Sequence, residues 1–238
     1  MTPKASRCAE AYWTFTAADG GRSLILPDGR CDIIYRSGPG GVGPLTPVIT
    51  GPATQPYWVD YQPGDTWMGV RLRPENAALL WGGEIGAAQN TVLRGKAALA
   101  RLPRVDAPGD VRPYLLSLVA RLSQAQEPTC LPQLMDALHA SGGRIRMEHL
   151  AQFAGWSTRH LGRIFRAQIG VSAKTYAQLV QFHRTLRLIR DQRLPLAAAA
   201  YEGGYADQSH LTRAFQRFGG FAPSEIPAEL SVPTLFPM

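Results

Sequence analysis

The sequence predicts an α+β protein with an N-terminal β-rich domain that has a few helices and a C-terminal all-α domain. Three observations lead to this prediction. The first 130 residues hold 15 of the 24 glycines and 13 of the 19 prolines, and their β-branched and aromatic stretches alternate with turn residues. From Leu131 onward, apolar residues recur at helical spacing. A motif in this second half also occurs twice, which predicts two helix-turn-helix units joined by a long helix.

Six strands and two helices are expected in the N-terminal domain. Pro-Asp-Gly at 27–29 and Pro-Gly-Asp at 63–65 are typical of hairpins or tight turns. The expected domain organisation is a sensor or dimerisation domain at 1–125, a linker at 126–131, a DNA-binding domain at 132–230 and a tail at 231–238. The predicted strands are Ala11–Thr16, Arg22–Leu26, Cys31–Arg36, Pro47–Thr50, Pro56–Tyr61 and Thr66–Arg73, and the predicted helices are Pro74–Trp81 and Asp110–Gln124.

Composition excludes several classes of function. The 238 residues are 45% hydrophobic and carry a net charge of +7, which favours a folded protein with an anionic partner. No apolar run approaches the ~20 residues of a membrane span, so we expect a cytoplasmic protein without a membrane partner. Cys8, Cys31 and Cys130 lack CxxC spacing, which predicts reduced thiols and no metal site. All five histidines lie beyond residue 130 and catalytic motifs are absent, so neither an enzyme nor a cofactor is expected.

The repeat in the second half is the most specific signal. His-Leu-x-Arg-x-Phe at 160–165, followed by Gly170, recurs at 210–215, followed by Gly220. Five identities at a constant offset of 50 residues indicate a duplicated structural unit. Basic residues also concentrate here, with 12 Lys or Arg against 4 Asp or Glu between positions 144 and 217.

Each copy of the repeat predicts a helix, a tight turn and a second helix. Ser157 and Asp207 are placed to cap the second helix of each copy, and Ser172–Arg190 predicts the long helix between the copies. In a helix-turn-helix, the N-terminal residues of the second helix face base edges in the major groove. Two such units on one chain predict contact with successive major grooves, roughly 34–36 Å apart.

The repeat resembles the AraC/XylS family of bacterial transcription regulators. Residues 150–165 look like the first helix-turn-helix of that family, and 199–224 look like the second. The resemblance implies that the partner is double-stranded DNA and that the caps lie near phosphates. Gly162 departs from the long polar residue usual at its position, and Gln181 stands where the family often has Arg. The base-facing positions that the resemblance implies are Arg159, Gly162, Arg163, Gln208, Ser209, His210 and Arg213.

The N-terminal half also resembles an uncharacterised domain that is fused to such regulators. The similar segments are 26–34, 51–55 and 69–74. The resemblance implies a domain that senses a small-molecule effector or forms a homodimer. Four aromatic residues in this half are candidates for lining a ligand pocket, although aromatic residues in a β-rich domain also form ordinary core. They are Tyr57, Trp58, Tyr61 and Trp67.

Two other functions remain open at this point. One is a protein-interaction adaptor that has kept the helical fold and lost DNA binding, for which Gly162 is the hint. The other is a DNA-repair alkyl transferase fused to such a module, which requires an activated cysteine within a zinc-binding cluster. Arg159, Arg163 and Arg213 favour a DNA-binding regulator over the adaptor, and the scattered cysteines argue against the transferase.

Overall fold

The strands and helices occur in the predicted order, with the β-rich half first and the helical half second. The computed structural model describes residues 8–41, 44–102, 111–124, 129–228 and 230–231. The predicted α+β class, with two helix-turn-helix units joined by a long helix, is confirmed.

Two sheets form the framework of the N-terminal domain. The first is antiparallel, with strand order β1-β6-β3-β4-β7, and the second has the order β5-β2-β8. The first six strands lie where the alternating pattern predicts them, whereas β7 and β8 are too short to produce one. The strand bounds are Ala9–Thr16 (β1), Gly21–Ile25 (β2), Asp32–Ser37 (β3), Thr46–Thr50 (β4), Tyr57–Tyr61 (β5), Thr66–Leu72 (β6), Val92–Arg94 (β7) and Leu230–Ser231 (β8).

The two predicted turns connect the sheets and do not close hairpins. The turn at 27–29 leads from β2 in the second sheet to β3 in the first, and the turn at 63–65 leads from β5 to β6. Gly29 has φ of 68° and Gly64 has φ of 82°, conformations that glycine adopts without strain. The hairpin interpretation is therefore wrong, because β2 pairs with β5 instead of β3. The segment at 63–65 is a tight turn, in which the Asp65 N–H donates to the Gln62 carbonyl at 3.1 Å, whereas the chain at 27–29 only bends at Gly29.

Three helices cover the first sheet: α1 (Ala77–Trp81), α2 (Lys96–Leu99) and α3 (Arg112–Gln124). The predicted helix at 74–81 begins as a 3-10 turn over Pro74–Asn76, and Asp110 of the other predicted helix lies outside the described residues. The hydrophobic core of this domain lies between the sheet and these helices. Its members include Ile33, Ile49, Val70, Leu72, Trp81, Leu115 and Val119.

The described part of the second half contains six helices. The longest of them, α7, has apolar residues on several sides and is buried over much of its length. Helix α4 begins at residue 131, the last residue of the expected linker at 126–131, and residues 126–128 of that linker lie outside the described part of the chain. The helix bounds are Leu131–Ala140 (α4), Met147–Phe153 (α5), Thr158–Gln168 (α6), Ala173–Arg190 (α7), Leu196–Gly203 (α8) and Gln208–Gly219 (α9).

The two halves of the chain share a hydrophobic core. Leu24 and Leu26, which lie in and directly after β2, are buried in the cluster that also holds the second helix-turn-helix unit. Next to them, His183 Nε2 on α7 donates a hydrogen bond to the Pro27 carbonyl at 2.8 Å. Strand β8 follows the last helix and pairs in parallel with β2. The second unit is therefore packed directly onto the N-terminal domain. Its other core members are Leu179, Phe182, Leu186, Ala200, Tyr205, Leu211, Phe215, Phe218 and Phe221.

Cys8, Cys31 and Cys130 form no disulfide within the described part of the chain. Among the described residues, no group of three or more His, Cys, Asp or Glu side chains is arranged to hold a metal ion. None of the described helices combines the length and the apolar character of a membrane span.

Candidate nucleic-acid interface

The first helix-turn-helix unit consists of α5, a turn at Gly155 and α6. Gly155 has φ of 68°, and Ser157 Oγ then accepts a hydrogen bond from the His160 backbone N–H at 3.2 Å. This bond satisfies one of the N–H groups that the first helical turn leaves free. Leu161 and Phe165 anchor α6 in the core, with exposed fractions of 1% and 0%. The opposite side of the helix is thereby turned outward.

The second unit repeats this construction with α8, a turn at Gly204 and α9. Gly204 is left-handed, with φ of 77°, and Asp207 Oδ1 accepts a hydrogen bond from the His210 backbone N–H at 2.6 Å. Leu211 and Phe215 occupy the positions of Leu161 and Phe165 and are completely buried. Both predicted caps therefore exist, and the repeated motif holds the two second helices in the same way.

The repeated histidines pack against the aromatic residue of the preceding turn. The His160 ring lies 4.9 Å from the Trp156 ring, and the His210 ring lies 5.2 Å from the Tyr205 ring, centroid to centroid. Burial raises the pKa of Tyr205, so its phenol stays uncharged. His160 Nδ1 also lies 3.1 Å from Arg163 Nη2. Both histidines thus pack against the turn at the start of their helix. From the repeat in the sequence alone, this packing role could not be distinguished from contact with DNA.

The base-facing candidates lie on the outward sides of α6 and α9. Gly162 and His210 are half-buried, which leaves the longer polar side chains to project furthest. The caps Ser157 and Asp207 are exposed at the same ends of the two helices. Positive charge beside the start of an exposed helix, present in each unit, suits phosphate contact. The exposed candidates are Arg159, Arg163, Gln208, Ser209 and Arg213.

Gln181 has a structural role that the sequence did not predict. Its Nε2 donates hydrogen bonds to the carbonyls of Gly203 and Gly204, each at 3.0 Å, and so binds the end of α8 to α7. The two helices approach closely there, because a Cβ on Gly203 would lie 2.3 Å from Thr185 Oγ1. Glutamine thus has a polar contact within the fold at the position where the resemblance leads one to expect arginine.

Comparisons with known proteins match each half of the chain. A model described as a helix-turn-helix domain matches residues 150–228, and a domain of unknown function (DUF6597) matches residues 3–94. The arabinose operon regulatory protein of Salmonella typhimurium is 25% identical over 119 residues, which cover 48% of this chain and 42% of that protein. The uncharacterised HTH-type transcriptional regulator YbfI of Bacillus subtilis is 31% identical over 67 residues, covering 28% and 24%. The chain is thus similar, over part of its length, to known transcription regulators of the arabinose operon.

All base-facing candidates fall within the segment that the helix-turn-helix model matches. That segment begins within α5 and includes α6 to α9. ToxT from Vibrio cholerae has a similar fold over both halves, with a TM-score of 0.50 at 10% identity, covering 93% of this chain and 98% of that one. The chain spans less than half the length of the two curated relatives described above.

The four aromatic candidates of the N-terminal domain do not converge on one point. Side chains alternate along a strand, so Trp58 points away from the β5 face that carries Tyr57 and Tyr61. Trp58 is 43% exposed and has the Arg22 guanidinium 3.8 Å above its ring. Trp67, on β6, is covered in a similar way by another arginine. A pocket lined by all four aromatics therefore finds no support in this arrangement.

Proposed function

We propose that this chain is a sequence-specific DNA-binding transcription regulator of the AraC/XylS type. In this proposal α6 and α9 enter successive major grooves of double-stranded DNA. The single observation that carries it is the equivalence of the two units: each presents a capped, exposed helix start at the same position of the repeat. A duplicated surface with this geometry suits a ligand that is itself periodic.

Arg163 and Arg213 are the side chains for which we propose base contacts in the two grooves. They occupy the same position of the repeat, and both are exposed. Arginine recognises guanine through two hydrogen bonds, to O6 and N7. Gln208 and Ser209 are proposed to contact further base edges of the second groove, and Arg159 a base or phosphate of the first. We propose that Gly162 reads no base directly because it has no side chain.

The test is selection of bound DNA from a random pool by the full chain at about 150 mM salt, a concentration at which non-specific phosphate contacts are weakened. The expected result is two conserved boxes spaced about one helical turn apart. Arg163→Ala should relax the base preference in one box only, and Arg213→Ala in the other, each by about 1–3 kcal/mol. Failure to enrich any sequence, with and without candidate effectors, would favour the adaptor alternative.

Arg101→Ala provides a matched control for the loss of one positive charge. Arg101 lies in the N-terminal domain and pairs with Glu84, remote in sequence from both recognition helices. This variant should select the same boxes with the same preferences as the unmodified chain. If Arg101→Ala and Arg213→Ala weaken binding equally on all sequences, the effect is one of net charge and the proposed base contact is wrong.

For the N-terminal domain we propose effector sensing or homodimerisation, and for the whole chain a cytoplasmic location without a catalytic step. The alkyl transferase alternative requires a thiolate at neutral pH. Burial instead raises the pKa of the Cys8 thiol, and it raises that of Cys31 further. A zinc assay that found stoichiometric metal would revive this alternative. Sedimentation velocity of the chain with and without DNA tests the dimer.

A further inference from the structure

A cavity of about 960 Å³ lies between the N-terminal domain and the helical half. Its floor and one side come from the N-terminal domain, near the start of β1 and the 3-10 turn before α1. The other side is formed by one face of α4 and one face of α7. Its size is within the range of roughly 300–1,000 Å³ that is usual for small-molecule sites. It contains none of the four aromatic candidates.

The wall on the N-terminal side is neutralised by its own ion pair. Arg30 is 2% exposed, and its Nη2 donates to Glu10 Oε1 at 3.0 Å while its Nε donates to Glu10 Oε2 at 2.5 Å. Arg73 and Glu75 also line this side, and burial raises the pKa of Glu75. The cationic and anionic side chains on this wall are therefore equal in number, Arg30 and Arg73 against Glu10 and Glu75.

The α7 wall carries an arginine whose hydrogen-bonding capacity is incompletely used. Arg184 and Arg187 lie three residues apart on the helix, and both face the cavity. Arg184 Nη1 is buried and has no hydrogen-bond partner within the part of the chain that the structure describes. A buried guanidinium nitrogen without a partner is unfavourable, by about 1–3 kcal/mol for a typical polar group. Nη1 itself is covered by the chain at Gly142, where an added Cβ would lie 2.9 Å from it, so a ligand would be held by the part of the Arg184 guanidinium that lines the cavity.

The acidic groups on the helical side do not fill that position. Asp136 and Asp191 line the rim and are exposed to solvent. Asp191 Oδ1 already accepts a hydrogen bond from Arg190 Nε at 2.7 Å. His139, on α4, contributes no charge, because burial together with Arg30 and Arg187 lowers its pKa to about 3. The inner part of the α7 wall is therefore left with an excess of positive charge.

Apolar side chains complete the cavity beside these arginines. Met135 of α4 and Val180 and Leu188 of α7 line it, together with Pro74 from the N-terminal domain. A ligand held only by its charge would leave this apolar surface exposed to water, whereas a ligand with a hydrophobic body would bury it. The combination favours an amphiphilic ligand over an inorganic ion.

We propose that this cavity binds a small organic anion, a carboxylate or phosphate monoester with an apolar body, whose charged group is held by Arg184. As an effector site it rests on the proposed regulatory function, because α7 directly connects the two helix-turn-helix units. A ligand at this wall contacts both domains and the helix that separates the recognition helices. The site itself is testable without DNA.

The test is calorimetric titration of the full chain with phenylacetate, phenyl phosphate and the neutral analogue phenylacetamide. At least one anion should bind saturably, and the amide should bind at least roughly tenfold more weakly. The stronger of the two anions identifies the head group. Arg184→Gln should weaken binding by roughly 10- to 100-fold, because it removes a charge-assisted hydrogen bond. Lys174→Gln, an exposed position of the same helix outside the cavity, should leave the affinity unchanged.

Ala140→Trp provides a second variant that keeps all the charges. Ala140 is exposed on α4 and lines the cavity, so an indole there should block it without disturbing the core. Equal binding of phenylacetamide and the anions, no saturable binding of either anion, or wild-type affinity in both cavity variants overturns the proposal. DNA selection with the same protein samples is a second measurement, independent of the binding of the anions. Loss of DNA binding with intact anion binding refutes the regulator and leaves the site standing.

Discussion

Leu26→Ala tests whether the N-terminal domain completes the core of the second helix-turn-helix unit. Leu26 is 1% exposed and packs in the cluster that contains Phe182, Phe215 and Phe218. Truncation of a buried leucine removes its transfer free energy and leaves a cavity, at a cost of about 2–5 kcal/mol. Since whole domains are stable by only about 5–15 kcal/mol, this loss should be obvious. This loss of stability should affect the second helix-turn-helix unit, although the substituted residue lies in the N-terminal domain.

Urea denaturation of the full chain measures the loss, with circular dichroism for the helices and tryptophan fluorescence mainly for the N-terminal domain, which holds four of the five tryptophans, the other being Trp156. Leu99→Ala is the matched control, because Leu99 is 37% exposed in the same domain and its truncation should stay within about 0.5 kcal/mol. In DNA selection, Leu26→Ala should weaken the base preference in the box contacted by α9 more than in the box contacted by α6. This difference separates positioning of α9 from general loss of stability.

Two results would refute the shared core. One is a loss below about 1 kcal/mol, which would mean that Leu26 does not pack as a core residue. The other is a separate N-terminal transition that alone moves to lower urea while the helical transition stays in place. In that case the two halves would fold independently, and the contact between β2 and α7 would contribute nothing to the second unit.

Three further predictions concern the caps, the turns and pH. Asp207→Ala removes the acceptor for the His210 N–H and should cost about 0.5–2 kcal/mol in thermal denaturation, while Asp207→Asn should retain most of the stability. Gly143→Ala should destabilise by more than about 1 kcal/mol in urea, because φ is 77° and the new Cβ would lie 2.1 Å from the Ala177 carbonyl oxygen. Burial lowers the pKa of His183 to about 4, so the unfolded chain, with a histidine pKa near 6.5, takes up this proton first as the pH falls. The contribution of His183 to the free energy of unfolding should be complete above about pH 6.5 and should fall by roughly 3 kcal/mol towards pH 4. His183→Gln should reduce this pH dependence.

The helix-turn-helix units could be predicted because their signals are local. A cap at Ser157 or Asp207, a glycine at the turn and apolar residues at helical spacing all lie within about twenty residues of one another. Because the unit is duplicated, this local pattern occurs twice in the sequence. The resemblance to the AraC/XylS family supplied the seven base-facing positions. Five of them are exposed, and their contacts with DNA stay predictions.

The contacts between the two halves could not be predicted, since they depend on residues far apart in sequence. His183 and the Pro27 carbonyl are 156 residues apart, and nothing near either residue indicates the other. The charged residues around Cys31 show a similar limit. Arg71 Nη2 lies 3.1 Å from Asp32 Oδ2 and 3.4 Å from Asp28 Oδ2, and all three side chains are largely buried, although charged side chains are mostly exposed in proteins.

The cavity could not be predicted for the same reason, and the aromatic residues indicated a different location for a ligand pocket. Aromatic residues are common in pockets, but on a strand their alternation sends neighbours to opposite faces. Arg184 and Arg187 read in the sequence as ordinary basic residues of a DNA-binding domain. Only the position of α7 against the N-terminal domain turns them toward an enclosed space.

Helix α7 is the element through which the halves of the molecule can influence one another. It holds α8 through Gln181, contacts the N-terminal domain through His183 and contributes Arg184 to the cavity. These three side chains lie within one turn of a helix, so a shift of α7 caused at one contact is felt at the others. Coupling of this kind is reciprocal. An anion that tightens DNA binding tenfold must itself bind the DNA complex tenfold more tightly, and one that binds both forms equally cannot regulate the protein.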